Sequence, residues 1–217
     1  MRKWFEMLDK SCKLKFLGLS DLDLTGVPHK LLARVLNKIE SLELCEVEVS
    51  SQQAEEIFLA MSMSDSLVKH FSMFELKISS VGCEVFAKAV NRLESVDLGN
   101  CEDLSEDQLL EMFRVMSLGT SLKLLGSPEG QWNLTAIDQI KNIEKVEPQV
   151  LAKAVNNLEE AHFYFGGSEN YEQGEKCNIT LAQIIAFFKE LNKQTSLKTI
   201  IRPTVESDLV DWEVFDF

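Results

Sequence analysis

Apolar residues recur along this chain at a fixed spacing. Counting from Leu14 as zero, Leu17, Leu19, Leu22 and Leu24 stand at offsets 3, 5, 8 and 10, and the same offsets are filled by Ile39, Leu42, Leu44, Val47 and Val49, and then by Val68, Phe71, Met73, Leu76 and Ile78. Leu93, Val96, Leu98 and Cys101 continue the series, with its last member slipped by one to Leu104. The alternation at the second and third positions has period two, which predicts a short strand with one buried face. Behind it the period changes: Ala54, Ile57, Phe58 and Met61 fall at helical spacing. Ser51, with Glu55 and Glu56 a few residues on, reads as the cap of that helix, and Ser105 ahead of Asp107-Gln108-Leu109-Leu110 repeats the device. Strand and helix therefore alternate.

One segment is written three times. Ala33-Arg34-Val35-Leu36-Asn37-Lys38-Ile39-Glu40-Ser41-Leu42 matches Ala87-Lys88-Ala89-Val90-Asn91-Arg92-Leu93-Glu94-Ser95-Val96, and both match Ala152-Lys153-Ala154-Val155-Asn156-Asn157-Leu158-Glu159-Glu160-Ala161. The first two copies lie 54 positions apart, twice a unit of 27, and the third lags by 65, so about eleven residues are inserted. Later units are less regular: one keeps Leu122 and Leu125 before Gly126-Ser127-Pro128, another keeps Leu158, Ala161 and Phe163, and Leu197-Lys198-Thr199-Ile200 opens an incomplete last one. A strand and a helix cannot enclose their own apolar face, so stability requires stacking of neighbouring units.

The offsets resemble the leucine-rich repeat, L-x-x-L-x-L-x-x-N/C-x-L, and the alternation of two unit types of 27 residues is similar to its intracellular ribonuclease-inhibitor-like class. Cys101 and Cys177 match the motif's Asn/Cys position, while Leu22, Val47 and Leu76 replace it. The resemblance implies an α/β solenoid, a horseshoe or arc of about six to seven strand-helix units with a parallel sheet on the concave side and helices on the convex side. The expected organisation is a single domain over 1–217: a cap or extension at 1–13, repeats at 14–200 and a C-terminal cap at 201–217 in which Trp212, Val214, Phe215 and Phe217 cover the last repeat. Trp4, Phe5 and Leu8 predict a short helix over the first strand.

Composition narrows the function classes. The chain has 217 residues, 45% of them hydrophobic, enough for a substantial core, and its formal charge of -13 opposes attraction to nucleic acid or anionic lipid. No run approaches the apolar length of a membrane span, and charge returns at Glu6 before a signal-peptide core can form. Five widely spaced cysteines without a Cys-x-x-Cys pair suit reduced thiols, so the expected compartment is the cytoplasm. Of these thiols Cys45, directed outward from the sheet by its place after Leu44, is expected to label first. The sequons at Asn133 and Asn178 are read as incidental.

Catalytic chemistry finds no scaffold here. His29, His70 and His162 lack metal-ligand spacing, and no glycine-rich phosphate loop or nucleophile elbow occurs, so no catalytic, cofactor or metal residue is assigned. The repeat class brings to mind RanGTPase-activating proteins, but Arg34, Arg92 and Arg114 fall on the outer helices and match no catalytic loop. What remains is recognition. The outward strand positions form a floor on which Glu40, Glu43, Glu46, Glu94, Asp97, Glu159 and Glu160 concentrate negative charge. Phe16, Phe74 and Tyr164 supply apolar anchors there. Phe16, Glu43, His70, Phe74, Asp97, Glu160, His162 and Tyr164 are the expected partner-binding residues, joined by Trp132 from the irregular stretch between Ser127 and Lys145; a second insertion runs from Gly166 to Lys176. The expected activity is binding of a basic protein or peptide without enzymatic chemistry. The alternatives are regulation of a small GTPase and a structural dimerising unit, so a homo-oligomer is open.

Overall fold

The computed structural model describes residues 1–11, 13–98, 103–125, 143–162, 189, 199–206 and 209–216; for residues 11, 144 and 160–162 and for those from 199 onward it describes the backbone alone. The elements follow in chain order as α1 (Arg2–Ser11), β1 (Phe16–Ser20), α2 (His29–Leu36), β2 (Ser41–Cys45), α3 (Ser51–Ser62), β3 (His70–Phe74), α4 (Cys83–Arg92), β4 (Ser95–Asp97), α5 (Glu106–Leu118), β5 (Leu124–Leu125), α6 (Pro148–Val155), β6 (Glu160–His162), β7 (Thr199–Glu206) and β8 (Leu209–Asp216). One sheet holds the strands side by side in sequence order, parallel from β1 to β7, with β8 returning antiparallel. The fold is therefore α/β, a parallel sheet with helices in the crossovers.

Strand register follows the sequence repeat residue by residue. Leu17 pairs with Leu42, Leu42 with Phe71, Phe71 with Val96 and Val96 with Leu125, so equivalent apolar positions lie beside one another across the sheet. These residues and Leu19, Leu44 and Met73 are buried against the helices in one continuous core, to which the helices add Leu32, Leu36, Phe58, Phe86 and Phe113. Each helix packs on the next in sequence order, which gives two layers. Leu14, expected inside, is 44% exposed and lies ahead of β1.

The helix starts differ in detail from expectation. The cap of α3 is Ser50, not Ser51: its Oγ accepts from Gln53 N at 3.2 Å while Gln53 Oε1 accepts from Ser50 N at 2.7 Å. The reciprocal partner is the glutamine at the third helical position, as the capping box requires, rather than Glu55. Ser105 and Gln108 form the same box on α5. Both glutamines then reach backward into the preceding unit. Gln53 Nε2 donates to the carbonyls of Leu24 and Val27, each at 2.7 Å, and Gln108 Nε2 donates to those of Ile78 and Val81 at 2.8 and 2.7 Å. Each thus donates to two loop carbonyls, of which those of Leu24 and Ile78 also accept from Val27 N and Val81 N.

The expected N-terminal helix is present as α1. Phe5 is wholly buried, and Asp9 clamps α2 through a two-pronged contact with Arg34, at 2.9 and 2.6 Å, and a contact with Lys38 at 2.7 Å. The hydrogen bonds from Arg34 and then Lys38 hold the Asp9 carboxyl well below the usual carboxylate range. At the other end, the backbone of 199–206 and 209–216 forms the β7–β8 hairpin, which occupies the stretch expected to close the repeats.

Candidate functional site

The face of the sheet turned away from the helices carries, on its first four strands, Phe16, Gly18 and Ser20, then Ser41, Glu43 and Cys45, then His70, Ser72 and Phe74, then Ser95 and Asp97. Parallel pairing without slippage lines up Gly18, Glu43, Ser72 and Asp97 in one row, and Phe16, Ser41, His70 and Ser95 in the next. Phe16 is 59% exposed, His70 is exposed, and Glu43 and Phe74 are half-buried. The open position beside Phe16 is Gly18: a Cβ there would lie 3.5 Å from the Phe16 ring and 3.8 Å from Glu43 Oε2, so both neighbours lie over it. His70 Nδ1 and Ser95 Oγ are 2.9 Å apart on adjacent strands. This links the imidazole to the hydroxyl on the adjacent strand.

Asp97 has the expected place in the row and is 9% exposed, with an interaction of its own. Phe16, on the edge strand, has a neighbouring strand on one side only. Glu160 and His162 lie in β6, where the backbone sets Glu160 opposite Leu124 and Thr199. Trp132, Tyr164, Cys12, Cys101, Cys177, Asn133 and Asn178, and the stretch from Gly166 to Lys176, lie outside the described residues.

The negative charge is also distributed differently from expectation. Where the strands begin, Lys15, Glu40, Lys69, Glu94, Lys123 and Glu159 occupy equivalent positions, and main-chain bonds join each to the next strand: Ser41 N to Lys15 O, Lys69 N to Glu40 O, Glu94 N to Lys69 O, Lys123 N to Glu94 O and Glu159 N to Lys123 O. Their charges alternate in sign. Lys69 Nζ lies 3.3 Å from Glu40 and 3.5 Å from Glu94, and Lys123 Nζ lies 3.6 Å from Glu94. Glu40 foremost, then Glu94, raises the Lys69 pKa, and although partial burial works against it, the two lysines lower that of Glu94. Glu40 and Glu94 are thus neutralised in a ladder and add little to an acidic floor.

The uncompensated acids lie where the strands end. Asp21, Glu46 and Glu75 stand one residue past β1, β2 and β3, each in the left-handed region at φ 55°, 51° and 53°. Asp21 N donates to Cys45 O at 3.1 Å and Glu46 N to Phe74 O at 2.9 Å, which holds the row together across the sheet. Among the described residues none of Asp21, Glu43, Glu46 and Glu75 is in an ion pair. Burial first, then Glu46, Asp21, Glu43 and Glu75, pushes the Cys45 thiol up, which works against the ready labelling expected from its outward position. Sequence reading missed Asp21 and Glu75; the available signal was an acidic residue at offset 7 in three successive units.

Among the described residues no group of three or more His, Cys, Asp or Glu could hold a metal ion, and no helix is long and apolar enough to cross a membrane. Arg34, Arg92 and Arg114 sit on helices and are exposed; Arg34 is engaged by Asp9 and Arg114 by Glu111. In comparison with family models, curated proteins and solved structures, the chain matches none.

Proposed function

We propose that this chain is a leucine-rich-repeat module of about six to seven units that binds a basic segment of another protein on the open, concave face of its sheet, by recognition rather than catalysis. The observation that carries the reading is the gathering of Asp21, Glu43, Glu46 and Glu75 around Cys45, unpaired among the described residues, beside the apolar surfaces of Phe16 and Phe74. Carboxylates held on rigid strand ends attract and orient a cationic partner, and aromatic side chains at the centre of such a surface supply the buried contact area. The alternating ladder at the strand starts keeps that edge near neutral, which directs a cationic ligand toward the strand ends.

The test is affinity capture from a lysate with the native chain, with Glu43→Lys plus Glu46→Lys, and with Glu84→Lys on α4 as control. The double variant is expected to lose the proteins captured by the native chain and by the control, and raised salt is expected to release them from the native chain. Identical recovery by all three would overturn the reading.

A further inference from the structure

We propose, building on the partner-binding reading above, that the segment received by the open face is a basic amphipathic α-helix, laid across β1, β2 and β3 rather than along them. The spacing of the acids sets the direction. Asp21, Glu46 and Glu75 stand one residue past strands that pair in register at Ser20, Cys45 and Phe74, so they form a row across the sheet. All three are exposed, and none is in an ion pair among the described residues. Neighbouring strands lie about 4.8 Å apart, so the row spans about 10 Å. On an α-helix the residues i, i+3 or i+4 and i+7 line one face and also cover about 10 Å, since each residue rises about 1.5 Å. An extended segment brings a side chain back to the same face only every ~6.6 Å, so its third such residue falls about 13 Å along.

Main-chain chemistry selects the helix as well. β2 is bonded to β1 on one side and to β3 on the other, and β3 to β2 and β4, so the middle of the face offers a ligand side chains and no backbone groups. A segment pressed against Cys45 and Phe74 loses water from its own amides and carbonyls and finds no partners for them in the sheet. A helix brings those hydrogen bonds with it, whereas an extended segment obtains them by joining the edge of a sheet. The side chains then define the surface of the ligand. Cys45 and Phe74, both half-buried, lie between the row of three acids and Glu43, which stands two residues before Cys45 on β2. The complementary helix therefore carries an apolar stripe, with basic residues at i, i+3 or i+4 and i+7 along one border and a single basic residue on the other.

The experiment titrates the full chain against three fluorescein-labelled synthetic peptides and reads their anisotropy. The first carries lysines at i, i+3 and i+7 beside a leucine stripe on an alanine background. The second has the same composition in scrambled order, and the third is the first with a central alanine replaced by proline, which breaks the helix and leaves the charge unchanged. The first peptide is expected to bind, to gain helical circular dichroism on binding, and to slow iodoacetamide labelling of Cys45 while leaving that of Cys83 on α4 unchanged. The scrambled and proline peptides are expected to show a Kd about tenfold higher or more. Glu46→Lys is expected to raise the Kd of the first peptide about tenfold and Glu84→Lys on α4 to leave it unchanged, with thermal melting to establish that each variant is folded. Equal affinity for all three peptides, with Cys45 still protected, would overturn the helix and leave the basic-partner reading standing. Failure of all three to bind, or binding indifferent to Glu46→Lys, would overturn that reading and the helix with it.

Discussion

Asp21, Glu46 and Glu75 end three successive strands in a backbone region that glycine adopts without strain and that costs other residues about 1 kcal/mol or more. All three are acidic and all three lie about Cys45, whose thiol pKa burial foremost, and then these acids with Glu43, raise. Alkylation proceeds through the thiolate, so a raised thiol pKa makes the reaction slow at neutral pH and lets its rate keep climbing with pH beyond the range where an ordinary thiol levels off. Iodoacetamide labelling followed by peptide mass spectrometry is expected to show Cys45 reacting more slowly than Cys83 at neutral pH, and Glu46→Gln is expected to speed Cys45 by roughly threefold. The outward direction of Cys45 was legible in the alternation of β2, and its reluctance was not, because the four acids are separated by up to two units in sequence and meet only across strands. Asp97 makes the same point: period two assigns its face, and only the structure gives its exposure of 9%.

Among the elements, α3 and α5 are each braced to the loop before them by one glutamine. Gln53 and Gln108 combine a capping box with two hydrogen bonds to carbonyls of the preceding loop, so one amide satisfies both the start of its own helix and the end of the previous turn. Gln53→Leu leaves two buried carbonyls and the Ser50 amide without that partner, and urea unfolding is expected to show a loss of about 2–4 kcal/mol. Gln53→Glu is expected to lose at least as much, since a carboxylate cannot donate to the two carbonyls; a loss below that of an ordinary surface substitution would count against the bracing role. Capping was visible in the sequence as a serine ahead of a helical pattern, but Ser50 and Ser51 are adjacent, and only the position of Gln53 against Leu24 and Val27 distinguishes them. The alternating ladder from Lys15 to Glu159 had the reverse history: its members are legible as a regular series, yet their signs cancel only once the strands lie side by side.

At the scale of the molecule, the buried apolar residues among those described form one core from Phe5 to Leu158, and Phe58 is a junction within it. It lies wholly buried on α3 with its ring centroid 5.8 Å from that of Phe71 on β3 and 5.4 Å from that of Phe86 on α4, so it joins the two layers and two successive units. Phe58→Ala is expected to cost about 3–5 kcal/mol in chemical unfolding, with the β3 and α4 amides losing hydrogen-exchange protection before those of α1 and β1. The sequence by itself determined the alternation of strand and helix, the side chains that turn inward and the pairing of equivalent positions, because period two, period 3.6 and the spacing of the units are properties of the chain alone. Only the tertiary structure decided which charges stay uncompensated and which outward groups are open. These depend on what lies on the neighbouring strand, and in a parallel sheet that neighbour is a full unit away along the chain.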